Sequence, residues 1–415
     1  MNILTFTSLW PNVEQPNFGV FVKHRVAAMA RLEGLNVRVV APVPYFPKSL
    51  TRLLPLTVLN RLPQHWLRLA RVPEVEEIGG LTTFHPRYLV TPKVGMRFYG
   101  SRMAKGAWQT VRRLHTEKPF DLIDAHYVYP DGFAAVELGR RLNIPVVISA
   151  RGTDINHFSH LPHIRPKIIN ALDRAAGVIA VSDALKQQMA ALGIVGQKIA
   201  VLPNGIDRET FHLRDREAAR RKLGLNLEDQ IVLTISALIP RKGIDRLTGA
   251  ISLLAKEALE AKLNSPKLSK LPKLIAIGEG SERRALESQI FNLGLQDYVF
   301  LPGAKPQADL ADWYAAADLF CLASHREGCP NVVVEAMACG LPVVVAEIDG
   351  IREFVDSTNG RVVASPSAEN FAAQIKAALI ADWDRQKIAD SVGARSWDVV
   401  AAEVVRFYEQ RGINM

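Results

Sequence analysis

Short apolar runs alternate with stretches whose apolar residues recur at helical spacing, and this begins at the first residues. Residues 2–8 (NILTFTS) read as a buried strand. Residues 20–33 place Phe21, Val22, Val26, Met29 and Ala30 on a helical spacing, Gly34 is a plausible C-cap, and 37–41 form the next strand. A strand–loop–helix–strand unit is the building block of a parallel sheet. Further strands are expected at 122–125, 145–149 and 177–181. Each is a short apolar run, as suits a strand buried on both faces.

The alternation restarts after Pro203-Asn-Gly205, with strands expected at 231–236, 274–278, 298–301, 319–323 and 342–346. This places a boundary near 203–215. The expected organisation is a first domain over 1–205, a second over 206–395, and a helix over 396–415 packing back toward the first domain. The fold class is α/β: two doubly wound, Rossmann-like domains facing across a cleft, with ligands at the carboxyl ends of the strands. Residues 256–273, polar and lysine-rich, read as a helix end followed by a solvated loop insertion. Residues 43–73 break the pattern. They carry Lys48, Arg52, Arg61, Arg68 and Arg71 with no acidic residue, among leucines and Trp66. They read either as an amphipathic element against anionic lipid or as a surface helix covering the core, with Pro55 and Pro63 interrupting any long helix.

Composition narrows the function classes. At ~100–200 residues per domain, 415 residues suit two domains. No run of ~18 apolar residues suggests a membrane span, and the N-terminus reads as a strand, not a signal peptide. Three cysteines (Cys321, Cys329, Cys339) without a C-x-x-C pair point away from zinc and from a disulfide framework, and toward a reducing, cytoplasmic setting, with peripheral membrane contact through the basic half as a candidate. The formal charge is +9, and its distribution says more: residues 1–210 hold 26 Lys and Arg against 15 Asp and Glu, and residues 211–415 hold 25 against 27. The basic half suits anionic lipid or a phosphorylated substrate; nucleic acid ranks last, since no zinc-finger spacing or RNA-binding aromatic signature accompanies the charge.

The strongest chemical signal is 319–346, LFCLASHREGCPNVVVEAMACGLPVVVA, read as strand, loop, helix, glycine stop, strand. Backbone amides near Asn331, Val332 and Val333 at the helix start form an anion site for a diphosphate or sugar hydroxyls, and Gly328 lies in the loop before them. Glu327 and Glu335, eight residues apart, fall within ~80° of one another if the helical period holds throughout. A carboxylate accepts two hydrogen bonds from adjacent hydroxyls, so the pair suits a ribose and a hexose. Two ordinary surface glutamates are the alternative, which the apolar surroundings disfavour. A second signal is IVLTISALIPRKG, where Arg241 and Lys242 follow a strand and could neutralise a diphosphate, or be solvated loop charge. A third is LIAIGEGSERR, where Gly278 and Gly280 allow close backbone approach to a ligand and Ser281 is a possible helix N-cap. In the first half, the turn at Gly19, the segment DAHYVYPDG with His126, and RGTD with Arg151 and Asp154 all follow strands. His126 could bond a sugar hydroxyl or a backbone carbonyl, and Asp154 could cap a helix.

These pieces, with NFGVFVKHRVAAM, VSDALK, VLPNGID and ADLFCLASHREG, resemble the retaining glycosyltransferases of family 4, which have the GT-B fold. The basic region after strand two and the GVFV variant resemble members that build cell-envelope polysaccharides, including teichuronic-acid-type enzymes. The resemblance implies that Gly19 lets its loop approach the donor diphosphate and that His126 sits by the donor sugar. It also implies that Arg241 and Lys242 contact the diphosphate, that Glu327 holds the sugar with the amides near Asn331–Val333, and that Glu335 grips the ribose. It implies a nucleotide-diphosphate-sugar donor, a glycan or lipid-linked acceptor met by the first domain, no metal and no cofactor. Two departures stand out: Ala237 occupies the place of a common arginine, and Arg151 begins a segment often written HG-x-D. The alternatives are a nucleotide-sugar 2-epimerase of the same architecture, or a binding protein without turnover.

Overall fold

The computed structural model describes residues 1–45, 68–91, 95–264, 271–393 and 395–413. Most of the basic segment 43–73 and the end of the lysine-rich segment 256–273 lie outside these. The chain divides into two units, one of Met1–Gly205 with Trp397–Met415, the other of Ile206–Ser396.

The first unit is built on an eight-stranded sheet. Its strands are β1 (Asn2–Phe6), β2 (Asn36–Val40), β4 (Val75–Ile78), β5 (Leu81–Phe84), β7 (Leu122–His126), β8 (Val146–Ala150), β9 (Gly177–Ala180) and β10 (Ile199–Val201). Their order is β10-β9-β8-β7-β1-β2-β5-β4, all parallel except the β4–β5 edge pair. β3 (Val43–Tyr45) and β6 (Arg87–Leu89) form a separate parallel pair. The central strands β7, β8 and β9 are buried along their whole length, as their unbroken apolar runs require. β4 and β5 escape the sequence pattern because an edge hairpin needs only alternate burial; in β4 (VEEI) no residue is fully buried. The last helix, Trp397–Gln410, belongs to this unit. It buries Val400, Val404, Phe407 and Tyr408 in one cluster with Ile3, Met29, Val147 and Ile179, and Trp397 stacks on His24 at 6.0 Å.

The second unit is a six-stranded parallel sheet ordered β13-β12-β11-β14-β15-β16. Its strands are β11 (Ile231–Ile235), β12 (Lys273–Ile277), β13 (Val299–Phe300), β14 (Leu319–Leu322), β15 (Val343–Ala346) and β16 (Gly360–Val363). Helix Ile244–Asn264 runs to the edge of the undescribed stretch.

Both sheets reverse their winding beside their first strand, between β1 and β7 and between β11 and β14. A parallel sheet collects ligands outside the carboxyl ends of its strands at such a point. In the second unit that region is shaped by Gly278, at φ +152°, whose missing Cβ would lie 1.8 Å from the Ser236 carbonyl oxygen. Gly278→Ala is expected to destabilise the chain by about 3 kcal/mol or more, through clash and strain together. Gly224→Ala, at φ +68° with nothing near its Cβ, should cost only about 1–2 kcal/mol. Urea unfolding measures both, and equal losses would contradict the packing account.

Candidate functional site

The loops that leave β11 and β14 are tied to each other. Pro240–Lys242 forms a short 3-10 turn ended by Gly243 at φ +64°, where a Cβ would lie 2.3 Å from the Ala323 carbonyl oxygen. Arg246 Nη2 donates to the same Ala323 oxygen at 2.7 Å, and the His325 amide donates to the Arg241 carbonyl at 2.9 Å. This knitting brings Arg241 and Lys242 to Glu327, although about 85 residues of chain separate them. Lys242 Nζ lies 2.5 Å from Glu327 Oε1, Arg241 Nη1 lies 3.4 Å from Oε2, and Arg241 Nη1 also donates to the Arg326 carbonyl at 2.9 Å. The Lys242 and Glu327 side chains are 14% and 13% exposed and Arg241 32%, so the trio is sheltered with Arg241 the most open. Two cations on one carboxylate leave a net positive charge at a strand end.

Gly328 follows in the same loop, and helix Asn331–Ala338 begins after Pro330. Its first amides are less open than the sequence suggests. The Asn331 N–H donates to the Cys329 carbonyl at 3.0 Å and the Val333 N–H to the Pro330 carbonyl at 2.9 Å. The anion capacity of this helix start is therefore smaller than three unengaged amides, Val332 included, would supply. Glu335 has separate partners from Glu327: it accepts the Tyr314 hydroxyl at 3.0 Å. Burial pushes its carboxyl up to about 7, with Asp207 adding to the shift and the Tyr314 bond opposing it.

Gly278 and Gly280 do make close approaches, but to this chain. The absent Cβ of Gly280 would lie 2.1 Å from the Leu238 carbonyl oxygen, and the Leu238 amide donates to the Glu279 carbonyl at 3.0 Å. The pair packs against the Ser236-Ala237-Leu238 loop. Ser281 is not the N-cap expected: helix Arg283–Asn292 starts after Glu282, without a side-chain cap.

In the first unit the sequence-expected residues join a buried polar chain. His126 is fully buried; its Nε2 lies 3.0 Å from Asp124 Oδ2, and Arg151 Nη2 bonds its Nδ1. A guanidinium can only donate, so Nδ1 accepts and Nε2 carries the proton given to Asp124. Burial, reinforced by the Arg25 and Arg151 charges, pushes the imidazole down to about 3, which keeps it neutral. Burial alone would raise Asp124, but Arg25 Nη2 at 2.8 Å outweighs it, with His126 and Arg151 adding, and the carboxylate stays ionised well below its usual range. Arg25 also donates to Ser149 Oγ at 2.8 Å and reaches the Tyr408 hydroxyl at 3.5 Å. Arg151 donates to Asn204 Oδ1 at 3.0 Å, and its guanidinium sits over the Phe21 ring at 5.5 Å. Asp154 accepts the N–H groups of Val128 and Gly152 at 2.8 Å and of Arg151 at 3.1 Å, so it fixes the turn between β8 and helix Thr153–Asn156. Gly19, at φ +66°, precedes helix Val20–Ala30, and its missing Cβ would strike the Leu9 carbonyl oxygen at 2.3 Å. It closes the loop after β1 on itself.

Arg25, Asp131 and Tyr408 were not singled out in the sequence. Arg25 carried a signal: it falls on the 22, 25, 26, 29 stripe of the first helix, where a charge demands a buried partner. Asp131 is fully buried, accepts from Ser8 Oγ at 3.1 Å and from the Ser8 amide, and is pushed up to about 7 by burial. Among the described residues no group of three His, Cys, Asp or Glu is placed to hold a metal, and no helix is long and apolar enough to cross a membrane.

Residues 215–392 match the family model Glycosyl transferases group 1, and residues 19–210 match Glycosyltransferase Family 4. A putative teichuronic acid biosynthesis glycosyltransferase, TuaC, of Bacillus subtilis is 29% identical over 90% of this chain and 88% of its own. A D-inositol 3-phosphate glycosyltransferase of Segniliparus rotundus is 35% identical over 51% of this chain and 47% of its own. Among solved structures, a sucrose-phosphate synthase from Thermosynechococcus elongatus superposes with a TM-score of 0.76 at 18% identity, covering 99% of this chain and 98% of that one. HepE of Anabaena, solved with UDP, gives 0.69 at 20% identity, covering 99% and 100%. These structural likenesses carry the fold, that of GT-B glycosyltransferases. The chain belongs to the group 1, family 4 glycosyltransferases.

Arg25→Ala should lower stability by about 3–5 kcal/mol, because it strips the principal cation from a buried carboxylate. Urea unfolding checks this, and a loss under about 1 kcal/mol, the scale of an exposed pair, would contradict it.

Proposed function

We propose that this glycosyltransferase moves a hexose or related sugar from a nucleoside-diphosphate donor to a glycan or lipid-linked acceptor, with retention of anomeric configuration and without a metal, in cell-envelope polysaccharide synthesis. The observation that carries the reading is the Arg241–Glu327–Lys242 cluster at the carboxyl ends of β11 and β14, beside the reversal of the sheet. HepE has been solved with UDP and with UDP-glucose, which favours a uridine donor. TarM of S. aureus has been solved with UDP and alpha-GlcNAc-glycerol, and TuaC is named for teichuronic acid biosynthesis, which favours an envelope glycan as acceptor.

The chemistry follows from charge. As the bond between the anomeric carbon and the phosphate oxygen breaks, negative charge grows on the departing diphosphate. Arg241 and Lys242 are placed to stabilise it electrostatically, the work a metal would otherwise do. Glu327, released from those cations, accepts hydrogen bonds from sugar hydroxyls, and Glu335 accepts from the ribose. The acceptor hydroxyl attacks from the face the phosphate leaves, and its proton passes to the departing phosphate oxygen. No enzyme nucleophile is involved. His126, neutral and buried, acts by tying β7 to the turn after β8. The second unit takes the donor and the first the acceptor.

Product from UDP-sugars and glycan acceptors, read by NMR for anomeric configuration, tests the reaction; an inverted product would overturn it. EDTA should leave the rate unchanged. Lys242→Ala should lower kcat by ~10²-fold or more, the scale for removing one preorganised electrostatic group. A Lys242→Ala rate equal to wild type would rule out its part in leaving-group stabilisation.

Glu335 gives a pH dependence. Its folded pKa is raised to about 7, so folding is favoured below the ordinary carboxyl range and that stability is lost as pH rises through 7. Ribose binding uses the ionised form, so UDP affinity should rise between pH 6 and 8 and level off above. Calorimetry should show the rise in wild type and a flat profile in Glu335→Gln. The same slope in both would assign the titration elsewhere.

A further inference from the structure

The first unit holds a cavity of about 270 Å³ at the carboxyl ends of β1, β2 and β5, set apart from the buried His126 chain. The loop after β1 contributes Ser8, Trp10, Asn12, Gln15 and Phe18, and His85 and Tyr88 line it near the ends of β5 and β6. We propose that this cavity is a subsite for one neutral sugar unit of the acceptor, a reading that rests on the glycan acceptor proposed above.

Its chemistry selects that ligand. No Lys, Arg, Asp or Glu is among the described residues lining it, although this half of the chain is strongly basic. A phosphate or uronate would therefore find no counter-charge among the described lining residues. Phe18, 41% exposed, stands at the rim as the accessible ring, with Trp10 and Tyr88 buried behind the apolar wall. The C–H face of a pyranose packs on such rings, and its hydroxyls need amide and hydroxyl partners, which Asn12, Gln15 and Ser8 supply. The volume is below the ~300–1,000 Å³ usual for drug-sized ligands, so it suits a single ring.

The polar rim is also preformed. Asn12 and Gln15 exchange backbone hydrogen bonds at 2.9 and 3.3 Å. Asn12 Oδ1 accepts the Glu14 and Gln15 amides at 3.1 and 3.0 Å, which leaves its NH2 group as the donor. Trp10 Nε1 is fixed on Thr83 Oγ1 at 3.1 Å, and His85 is fixed by Nδ1, which donates to the Ala41 carbonyl at 3.0 Å. A site whose lining is held this way loses little freedom on binding. Gly19 packed on Leu9 closes the loop that carries most of these groups.

Saturation-transfer NMR on the full chain tests this with the methyl glycosides of glucose, galactose, mannose and N-acetylglucosamine, with methyl glucuronide as the anionic arm and UDP as an independent donor-site probe. At least one neutral glycoside should give transfer, and methyl glucuronide should not. Phe18→Ala and Gln15→Ala, both at the rim, should each weaken the neutral signal by about fivefold or more, with UDP binding and the circular dichroism melt unchanged. No transfer to any neutral glycoside, equal transfer to the glucuronide, or neutral signals unchanged in both variants would each overturn the subsite. If glycosides bind as expected while no donor yields product, the subsite stands and the transferase reading falls. If product forms but these variants alter neither glycoside binding nor the acceptor KM, the subsite alone falls.

Discussion

The carboxylate of Glu327, held between Lys242 and Arg241, is the contact around which the strand ends of the second unit are arranged. It joins the loop after β11 to the loop after β14, the two strands that flank the winding reversal of that sheet. The backbone around it is built to keep it there. Gly243 packs on Ala323, His325 donates to the Arg241 carbonyl, and Arg246 bonds Ala323. A sheltered carboxylate with two cations tolerates a polyanionic ligand, because the cations can exchange one anion for another without either charge being left unpaired.

The first unit uses charge differently. Its chain from Tyr408 through Arg25, Asp124 and His126 to Arg151 is buried, and it links the first helix, β7, the turn after β8 and the last helix. Such a network, closed off from solvent, fixes geometry. The strand-end groups of the two units thus divide into a buried polar frame and a partly exposed ion cluster.

Much of the fold was legible in the sequence because parallel strands buried on both faces must be continuous apolar runs; β7, β8, β11, β14 and β15 fall where such runs occur. The edge hairpin was not, since β4 buries too little to leave a pattern, whereas the two-residue β13 falls within the run expected at 298–301. For the site, strand ends pointed to Arg241, Lys242 and Glu327, but only the fold shows them on one carboxylate. Two strand-end features show contacts that the sequence could not. Gly278 and Gly280 make room for the carbonyls of Ser236 and Leu238, and the amides of Asn331 and Val333 are taken by Cys329 and Pro330. Sequence shows that backbone can come close or donate, not what it meets. Arg25 was visible as a charge on an apolar stripe, whereas its partner Asp124, about 100 residues away, was not identifiable as such.

The central claim, that Arg241 and Lys242 serve the diphosphate, is most directly tested by calorimetry with UDP and uridine on wild type and on the Arg241→Met, Lys242→Met double variant. The account predicts that wild type prefers UDP by at least about tenfold, or ~1.4 kcal/mol, and that the double variant loses this preference while still binding uridine as before. An undiminished preference for UDP in the double variant, or an equal loss of both ligands, would contradict it.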